Sequence, residues 1–323
     1  MQKFHLKLYK KFAFYRKLTD ALKELVVPGF GGVPLFYILS FFIREIVNED
    51  INIRASAIAF NFFLALFPAL IFLFTLIPYM PLEDLHDEII ELFQQLLPEN
   101  AFLTIVDVLE DILETRRGGL LSFGFLFTLF FATNGIYSLM EAFNRNDPRS
   151  FWTKRLIAAG LTVGFSLLLI IGFSLLIFGQ FIISNYADFQ GGIFMVFMGI
   201  GRWLLMFLII FLAVSILYYF SAYPRRSIRL MFPGILLASA LSVLAAVGFS
   251  FYVENYAQYH YFYGPLGTII ILMLWFYFQS NVLLIGYELN HSILLARDSV
   301  MEDNFLDPKQ KKSASDYKNK GKS

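Results

Sequence analysis

Long apolar runs alternate with short polar segments along most of the chain. Five of the runs exceed the roughly 20 apolar residues that an α-helix needs to cross a bilayer. They span residues 119–143, 156–183, 200–223, 231–253 and 265–292. A sixth run, 55–79, contains no charged residue, and Pro68 in its middle predicts a kink because proline removes one backbone hydrogen bond. The pattern predicts an all-α, polytopic membrane protein with six transmembrane helices in a membrane domain over residues 54–295.

The segments on either side of this domain have different patterns. The apolar stretch 33–43 is interrupted by Arg44 and Glu45, and it is too short to span a bilayer, so we expect an interfacial amphipathic helix over 34–53. Residues 1–33 form a basic N-terminal segment. Residues 296–323 are rich in lysine and lack apolar periodicity, which predicts a disordered tail.

The loop after the first span, 80–118, contains two series of apolar residues at helical spacing, separated by Pro98. This spacing predicts a helical hairpin. Ten acidic residues and no Lys or Arg fall between Glu83 and Glu114, so the hairpin presents a negative face. That face is either a solvated cap on the bundle or a surface that holds a cation or an envelope protein partner.

The distribution of charge predicts the orientation. The composition is 58% hydrophobic and only 16% charged, against about 25% charged residues in a soluble domain. Of the 26 Lys and Arg residues, all but Arg116, Arg117 and Arg202 fall on one side of the six predicted spans. The positive-inside rule therefore places both termini in the cytoplasm.

Polar residues recur at helical spacing within three spans and descend toward the same side. One reading is a cytoplasm-facing cavity in which Glu141 and Glu288 bind a ligand or exchange protons. The other is a set of interhelical ion pairs near the interface, where charges cost less than at the bilayer centre. The candidate residues are Arg54, Asn61, Asn134, Ser138, Glu141, Arg145, Asn281, Glu288, Asn290 and His291, with Tyr277 on the same stripe of the last span.

Two further patterns have both a structural and a functional reading. A cluster of aromatic residues near the outer end of the fifth span is either an ordinary interfacial belt or a surface that stacks on a sugar or a headgroup. Its members are Tyr252, Tyr256, Tyr259, Tyr261 and Tyr263. Gly160 and Gly164 form a small-xxx-small pair, which predicts close contact between this helix and a neighbour.

The sequence contains no recognisable enzyme motif. The four histidines are scattered, cysteine is absent, and neither a nucleophile elbow nor a phosphate-binding glycine-rich loop occurs. We therefore expect no enzymatic activity, no metal and no cofactor. The basic residues lie in short loops and tails, which orientation explains without a nucleic-acid partner.

Several short motifs together resemble those of the YihY/BrkB family of bacterial inner-membrane proteins over roughly residues 35–295. They are Arg54-Ala-Ser-Ala-Ile-Ala-Phe60 leading to Ala65-Leu-Phe-Pro68, Asn134-Gly135, Phe143-Asn144, Pro233-Gly234, Tyr263-Gly264 with Gly267 and Trp275, and Gly286-Tyr-Glu288-Leu-Asn290. Tyr287 departs from the pattern, since relatives often have a small residue there. The resemblance implies six spans with an outer loop after the first, but no catalytic residues.

Members of this family were once labelled ribonuclease BN, in error, and others are associated with serum resistance or envelope lipid handling. The resemblance and the polar stripes together favour a transporter or flippase-like factor for an amphipathic or lipidic envelope component. A non-transporting envelope scaffold or assembly factor is the alternative. A membrane-bound nuclease is the third and least favoured hypothesis.

Overall fold

The computed structural model describes residues 13–27, 30–48, 51–76, 106, 118–144, 147–185, 192–223, 227–256 and 265–305. These residues form eight α-helices. They are α1 (Ala13–Glu24), α2 (Leu35–Asn48), α3 (Ile51–Leu76), α4 (Gly118–Phe143), α5 (Phe151–Asn185), α6 (Gly192–Ser221), α7 (Ile228–Tyr256) and α8 (Pro265–Phe305).

Helices α3 to α8 are, within the described parts of the chain, the six that are long and apolar enough to cross a membrane. The mean hydropathy of their spans lies between 1.6 and 2.5. Large apolar side chains such as Leu126, Leu156 and Leu204 are exposed on their outer surfaces, as expected of helices that face lipid. The predicted all-α, multi-pass membrane fold with six spans is therefore confirmed.

The six spans pack as a closed ring in chain order. Each contacts the next along the chain, and α8 returns to contact α3, so the first and last spans are neighbours; α8 also touches α4. Side chains that are almost fully buried, including Ile58, Met140, Tyr218 and Leu284, form one apolar cluster within the ring. This arrangement brings the polar residues of α3, α4 and α8 close together.

Helices α7 and α8 cross at two glycines. A Cβ atom added to Gly234 would lie 2.2 Å from the carbonyl oxygen of Gly286 and 2.5 Å from the Asn290 amide. A Cβ added to Gly286 would lie 2.6 Å from the Cβ of Ala238. These distances are below van der Waals contact, so the two backbones can approach only because both positions lack side chains.

The N-terminal helices pack on the end of α8. Ile38 of α2 is buried against Ile293 and Ala296 of α8, in a small second core that also includes Val33 and Leu289. The turn between α1 and α2 contains glycines with positive φ, Gly31 and Gly32. Helix α2 is not among the six spans, and its interfacial position remains a prediction.

The predicted tail boundary is wrong, because α8 continues as a helix through Phe305 and Ala296 is fully buried. At 1.5 Å per residue its 41 residues extend about 60 Å, roughly twice the hydrocarbon core. Around the predicted boundary the helix buries Leu289, Ile293 and Ala296 in one apolar cluster with Ile38 of α2, which favours its continuation. Residues 306–323, for which we expect disorder, lie outside the described residues.

The close helix contact predicted at Gly160 and Gly164 is not found. A Cβ at either glycine would meet no described atom within 4 Å, whereas one at Gly172 would lie 3.0 Å from Ile209 of α6. Gly160 and Gly164 therefore face away from the described parts of the neighbouring spans, and α5 approaches α6 closely near Gly172 instead. The predicted hairpin over 80–118, except for residues 106 and 118, lies outside the described parts of the chain, as do the outer residues Tyr259, Tyr261 and Tyr263.

Candidate functional site

The polar residues collect at one end of the ring, where α3, α5 and α7 begin and α4 and α6 end; we call this the basal end. Arg54, in the first turn of α3, donates from Nη2 to Oε1 of Glu288 on α8 at 2.8 Å, and from Nη1 to the carbonyl oxygen of Ala142 at 2.6 Å. The side chains of Arg54 and Glu288 are only 11% and 6% exposed. One guanidinium therefore links the first, second and last spans through a buried ion pair.

Two of the predicted residues of α4 face α5 instead. Lys154 Nζ donates to Oε1 of Glu141 at 2.6 Å, and Arg155 donates to the side-chain oxygen of Asn134. The Glu141 side chain is 39% exposed, so its ion pair is much more accessible than that of Glu288. Because solvent screens exposed pairs, the Glu141 contact contributes less to stability than a buried one would.

About two turns of α3 further from the basal end, a polar contact joins α3 and α4. Asn61 Nδ2 donates to Ser138 Oγ at 2.8 Å and to its own helix at the carbonyl oxygen of Ala57. Asn281 donates to the carbonyl oxygen of Tyr277 in its own helix. The predicted stripe on α4 is thus divided, with Ser138 facing α3 while Asn134 and Glu141 face α5.

Asn144, immediately after α4, connects three spans at the basal end. Its Oδ1 accepts a hydrogen bond from the Tyr287 hydroxyl at 2.7 Å, and its Nδ2 donates to the carbonyl oxygen of Ser221, the last residue of α6, at 2.8 Å. The Tyr287 ring stacks on Phe143 with centroids 4.3 Å apart, and Tyr218 packs edge-on to both rings. Polar and aromatic contacts therefore close this end of the ring together.

The loop between α4 and α5 adds a second cap to α6. Arg149 donates to the carbonyl oxygens of Ser221 at 2.7 Å and Phe220 at 3.2 Å, and forms an ion pair of 2.6 Å with Asp147. Burial would raise the pKa of Asp147, but hydrogen bonds and charge from Arg149 outweigh it and lower that pKa below its ordinary value. Asp147 is therefore ionised at neutral pH and holds Arg149 in place.

Asn290 and His291 lie on the other side of α8, toward α7. Oδ1 of Asn290 accepts a hydrogen bond from the backbone N–H of Gly234 at 2.8 Å. Both residues line a small pocket together with Ala222, Met231, Tyr287 and Leu294. This pocket is separate from the Arg54–Glu288 pair, because Glu288 contacts α3 while Asn290 contacts α7.

The structure describes nine of the ten predicted candidates; Arg145 lies outside the described residues. It brings together Arg54 with Glu288 and Asn61 with Ser138, but pairs Glu141 with Lys154. The sequence reasoning did not propose Asn144 and Arg149 as site residues, although Asn144 lies within one of the short motifs that carried the family resemblance. It noted Tyr287 only as a departure from the family pattern. Within the described parts of the chain, no group of three or more His, Asp or Glu side chains is placed to hold a metal ion.

Comparison with known proteins gives a consistent result. A family model described as virulence factor BrkB matches residues 42–312. The chain is 31% identical over 274 residues to a ribonuclease-like protein, YfkH, of Bacillus subtilis (strain 168), covering 83% of this chain and 98% of that protein. No solved structure matches.

Two relatives are UPF0761 membrane proteins. The one from Acinetobacter baylyi is 26% identical over 309 residues, covering 90% of this chain and 66% of the relative. The one from Prosthecochloris aestuarii is 24% identical over 265 residues, covering 77% of this chain and 59% of the relative. The chain thus spans nearly all of YfkH but about three fifths of the Prosthecochloris protein. Six membrane spans and a family match over most of the chain show that this protein belongs to the YihY/BrkB family of membrane proteins.

Proposed function

We propose that this protein is a transporter or flippase-like factor that moves an amphipathic or lipidic envelope component across the bacterial inner membrane. The observation that carries the proposal is the Arg54–Glu288 ion pair, which is buried between the first and the last span. Ionisable groups inside a membrane bundle are costly, and in transporters they commonly mark the path of a substrate or a proton. An apolar pair of similar size would hold two helices together at least as well.

The position of the pair suits a gate. It lies between α3 and α8, the two helices whose contact closes the ring. A second hydrogen bond joins the same two helices, since the Tyr277 hydroxyl donates to Asn52 Oδ1 at 3.1 Å. Removing one partner of a buried pair costs about 3–5 kcal/mol, so this contact stays shut until another charge replaces a partner. An anionic headgroup would compete with Glu288 for Arg54, and protonation of Glu288 would weaken the same contact. Asn61 and Ser138 continue the polar path toward the bilayer centre.

Glu288→Gln tests the gate. The amide removes the negative charge but keeps an oxygen that Arg54 can bond, so we expect the variant to fold and insert. Purified protein in liposomes containing fluorescently labelled phosphatidylglycerol would be assayed by dithionite quenching. Transport requires the contact to open and then to close again, and glutamine can neither take up nor release the proton that would drive this cycle. We therefore expect the rate of lipid exchange between leaflets to fall at least about tenfold, which corresponds to about 1.4 kcal/mol or more in the transport barrier.

Glu45→Gln is the matched control. Glu45 is on α2, outside the six spans, and pairs with a half-exposed Arg44, so this variant should exchange lipid at the wild-type rate. Melting temperatures of all three proteins would separate a folding defect from a loss of activity. If Glu288→Gln exchanged lipid at the wild-type rate, the assignment of the gate would be overturned. Wild-type protein that exchanges lipid no faster than empty liposomes would overturn the proposed transport of phospholipid.

A scaffold or assembly factor is the second candidate. It is favoured by the pairing of polar side chains with one another, since Arg54, Asn61 and Glu141 all contact partners within the described bundle. Such a protein would hold an envelope partner through the acidic segment 80–118. Photo-crosslinkers placed between residues 82 and 115 in cells would give a stoichiometric protein adduct for a scaffold and a lipid adduct for a transporter.

A further inference from the structure

A small pocket lies at the basal end between the α6–α7 connection and α8. Its lining residues are Ala222, Met231, Tyr287, Asn290, His291 and Leu294. The cavity has a volume of about 10 Å³, which is the space of about one oxygen-sized atom. Among the residues that the structure describes, no carboxylate lines it.

The orientation of the Asn290 amide is determined by its neighbour. The backbone N–H of Gly234 can only be met by an acceptor, so the atom 2.8 Å from it is the amide oxygen. The amide nitrogen, Nδ2, is buried, and it has no hydrogen-bond partner among the residues that the structure describes. A buried donor without an acceptor is costly, so an acceptor bound at this pocket would stabilise the protein.

The charges near the pocket favour an anionic acceptor. Arg297 lies on the same face of α8 as Asn290 and Leu294, since these residues are three and four positions apart. It is half-buried, its Cδ lies 3.6 Å from where a Cβ of Gly31 would be, and it forms no ion pair with any described carboxylate. Glu288 is engaged by Arg54 on another face of α8, and Asp298 is exposed.

We infer that this pocket binds one oxygen of a phosphate group. The Asn290 amide donates to that oxygen, His291 lines the pocket beside it, and Arg297, one helical turn further along α8, supplies positive charge. Because the pocket has room for about one atom, the rest of the phosphate remains at its mouth. A phospholipid headgroup and free inorganic phosphate share this chemistry. Binding requires no movement of the ligand across the membrane, so the inference does not depend on the proposed transport.

Asn290→Asp is the decisive variant. The carboxylate keeps an oxygen for the N–H of Gly234 but replaces the donor with a second, negatively charged oxygen that repels phosphate. Asn281→Asp makes the same change on α8 at a residue that bonds only its own helix in the described structure and lies away from the pocket. Full-length protein in detergent would be titrated with phosphatidic acid or with diacylglycerol of the same chains, and bound lipid would be counted by native mass spectrometry.

We expect wild-type protein and Asn281→Asp to bind phosphatidic acid at least about tenfold more tightly than Asn290→Asp does, since a hydrogen bond to a charged group is lost. Diacylglycerol should not bind specifically. In parallel, inorganic phosphate would be added and the melting temperature followed. A rise in wild-type protein but not in Asn290→Asp, with no difference in lipid binding, identifies free phosphate as the source.

Leu294→Phe provides a second variant if Asn290→Asp does not fold. The larger ring fills the pocket without touching the Asn290–Gly234 hydrogen bond, so phosphate binding should again fall. Either variant binding both probes as wild type does would overturn the inference. Equal binding of diacylglycerol and phosphatidic acid by wild-type protein would also overturn it if inorganic phosphate left the melting temperature of that protein unchanged.

Discussion

Among individual residues, Gly234 has the tightest surroundings at the contact between α7 and α8. It follows Pro233, which has no N–H, and its own N–H is directed to Asn290 of the neighbouring helix. The carbonyl oxygen of Gly286 lies 2.2 Å from where its Cβ would be. A single methyl group here would meet backbone, which cannot rotate away as a flexible side chain can.

Gly234→Ala is therefore expected to be destabilising. Overpacking a tight core typically costs about 1–3 kcal/mol, and this substitution would also displace Asn290. Gly160→Ala is the matched control, because no atom of the described residues lies within 4 Å of its added methyl and alanine favours helix by about 0.5–1 kcal/mol. Melting temperatures of both variants would be compared. Equal stability of Gly234→Ala and wild type would contradict the close approach of the two helices.

At the scale of helices and their connections, the C-terminus of α6 depends on a loop from elsewhere in the chain. The last carbonyl oxygens of a helix have no donors within it. Asn144 and Arg149, on either side of the α4–α5 loop, supply donors to Ser221 and Phe220, and Asp147 holds Arg149. The loop between α4 and α5 therefore also holds the end of α6 through its side chains.

Acid should weaken this connection. The folded protein lowers the pKa of Asp147 below its usual value of 3.8, so the carboxylate contributes stability above about pH 4 that is lost as the pH falls through the folded pKa. Asp147→Asn should thus be less stable than wild type at pH 7 by about 1–3 kcal/mol, the cost of losing a charged hydrogen bond. The difference should be smaller at about pH 3 than at pH 7, because the unfolded chain then takes up a proton that the folded protein still disfavours.

The measurement is the melting temperature of each protein at both pH values. Asp20→Asn is the control, because its pair with Lys23 is about half exposed and 4.0 Å long and should contribute little. A difference between Asp147→Asn and wild type that does not change with pH would show that the loop is held by contacts other than this ion pair.

At the scale of the whole molecule, orientation is testable because the chain contains no cysteine. The positive-inside rule places the α6–α7 connection in the cytoplasm and the segment 80–118 outside. In intact spheroplasts, an impermeant maleimide should label Thr104→Cys, and should label Ser227→Cys only after the membrane is opened. The reverse pattern would contradict the proposed orientation. Three spans, α4 to α6, separate residues 104 and 227, so labelling of both cysteines from outside would contradict this number of membrane crossings.

Much of the fold could be predicted from the sequence, because a helix must be apolar for about 20 residues to cross a bilayer. The six apolar runs therefore correspond to α3–α8, and the polar residues within them were recognised as exceptional. The end of α8 could not be predicted, since residues 296–305 are largely polar and lack the continuous apolar run that marks a span. Their helix is stabilised by burial of Ile293 and Ala296 against α2, which is distant in sequence.

The candidate site was predicted as a set of residues, but only the tertiary structure decided their partners. Helices surrounded by lipid are apolar on all sides, so periodicity does not say which neighbour a polar side chain faces. Arg54 contacts Glu288 because the ring closes between the first and last spans, and Glu141 contacts Lys154 because α5 packs beside α4. The sequence by itself determined the spans and their polar residues through the solvation requirements of the bilayer. The pairing of those residues depended on the order of helices around the ring, which only packing between distant segments decides.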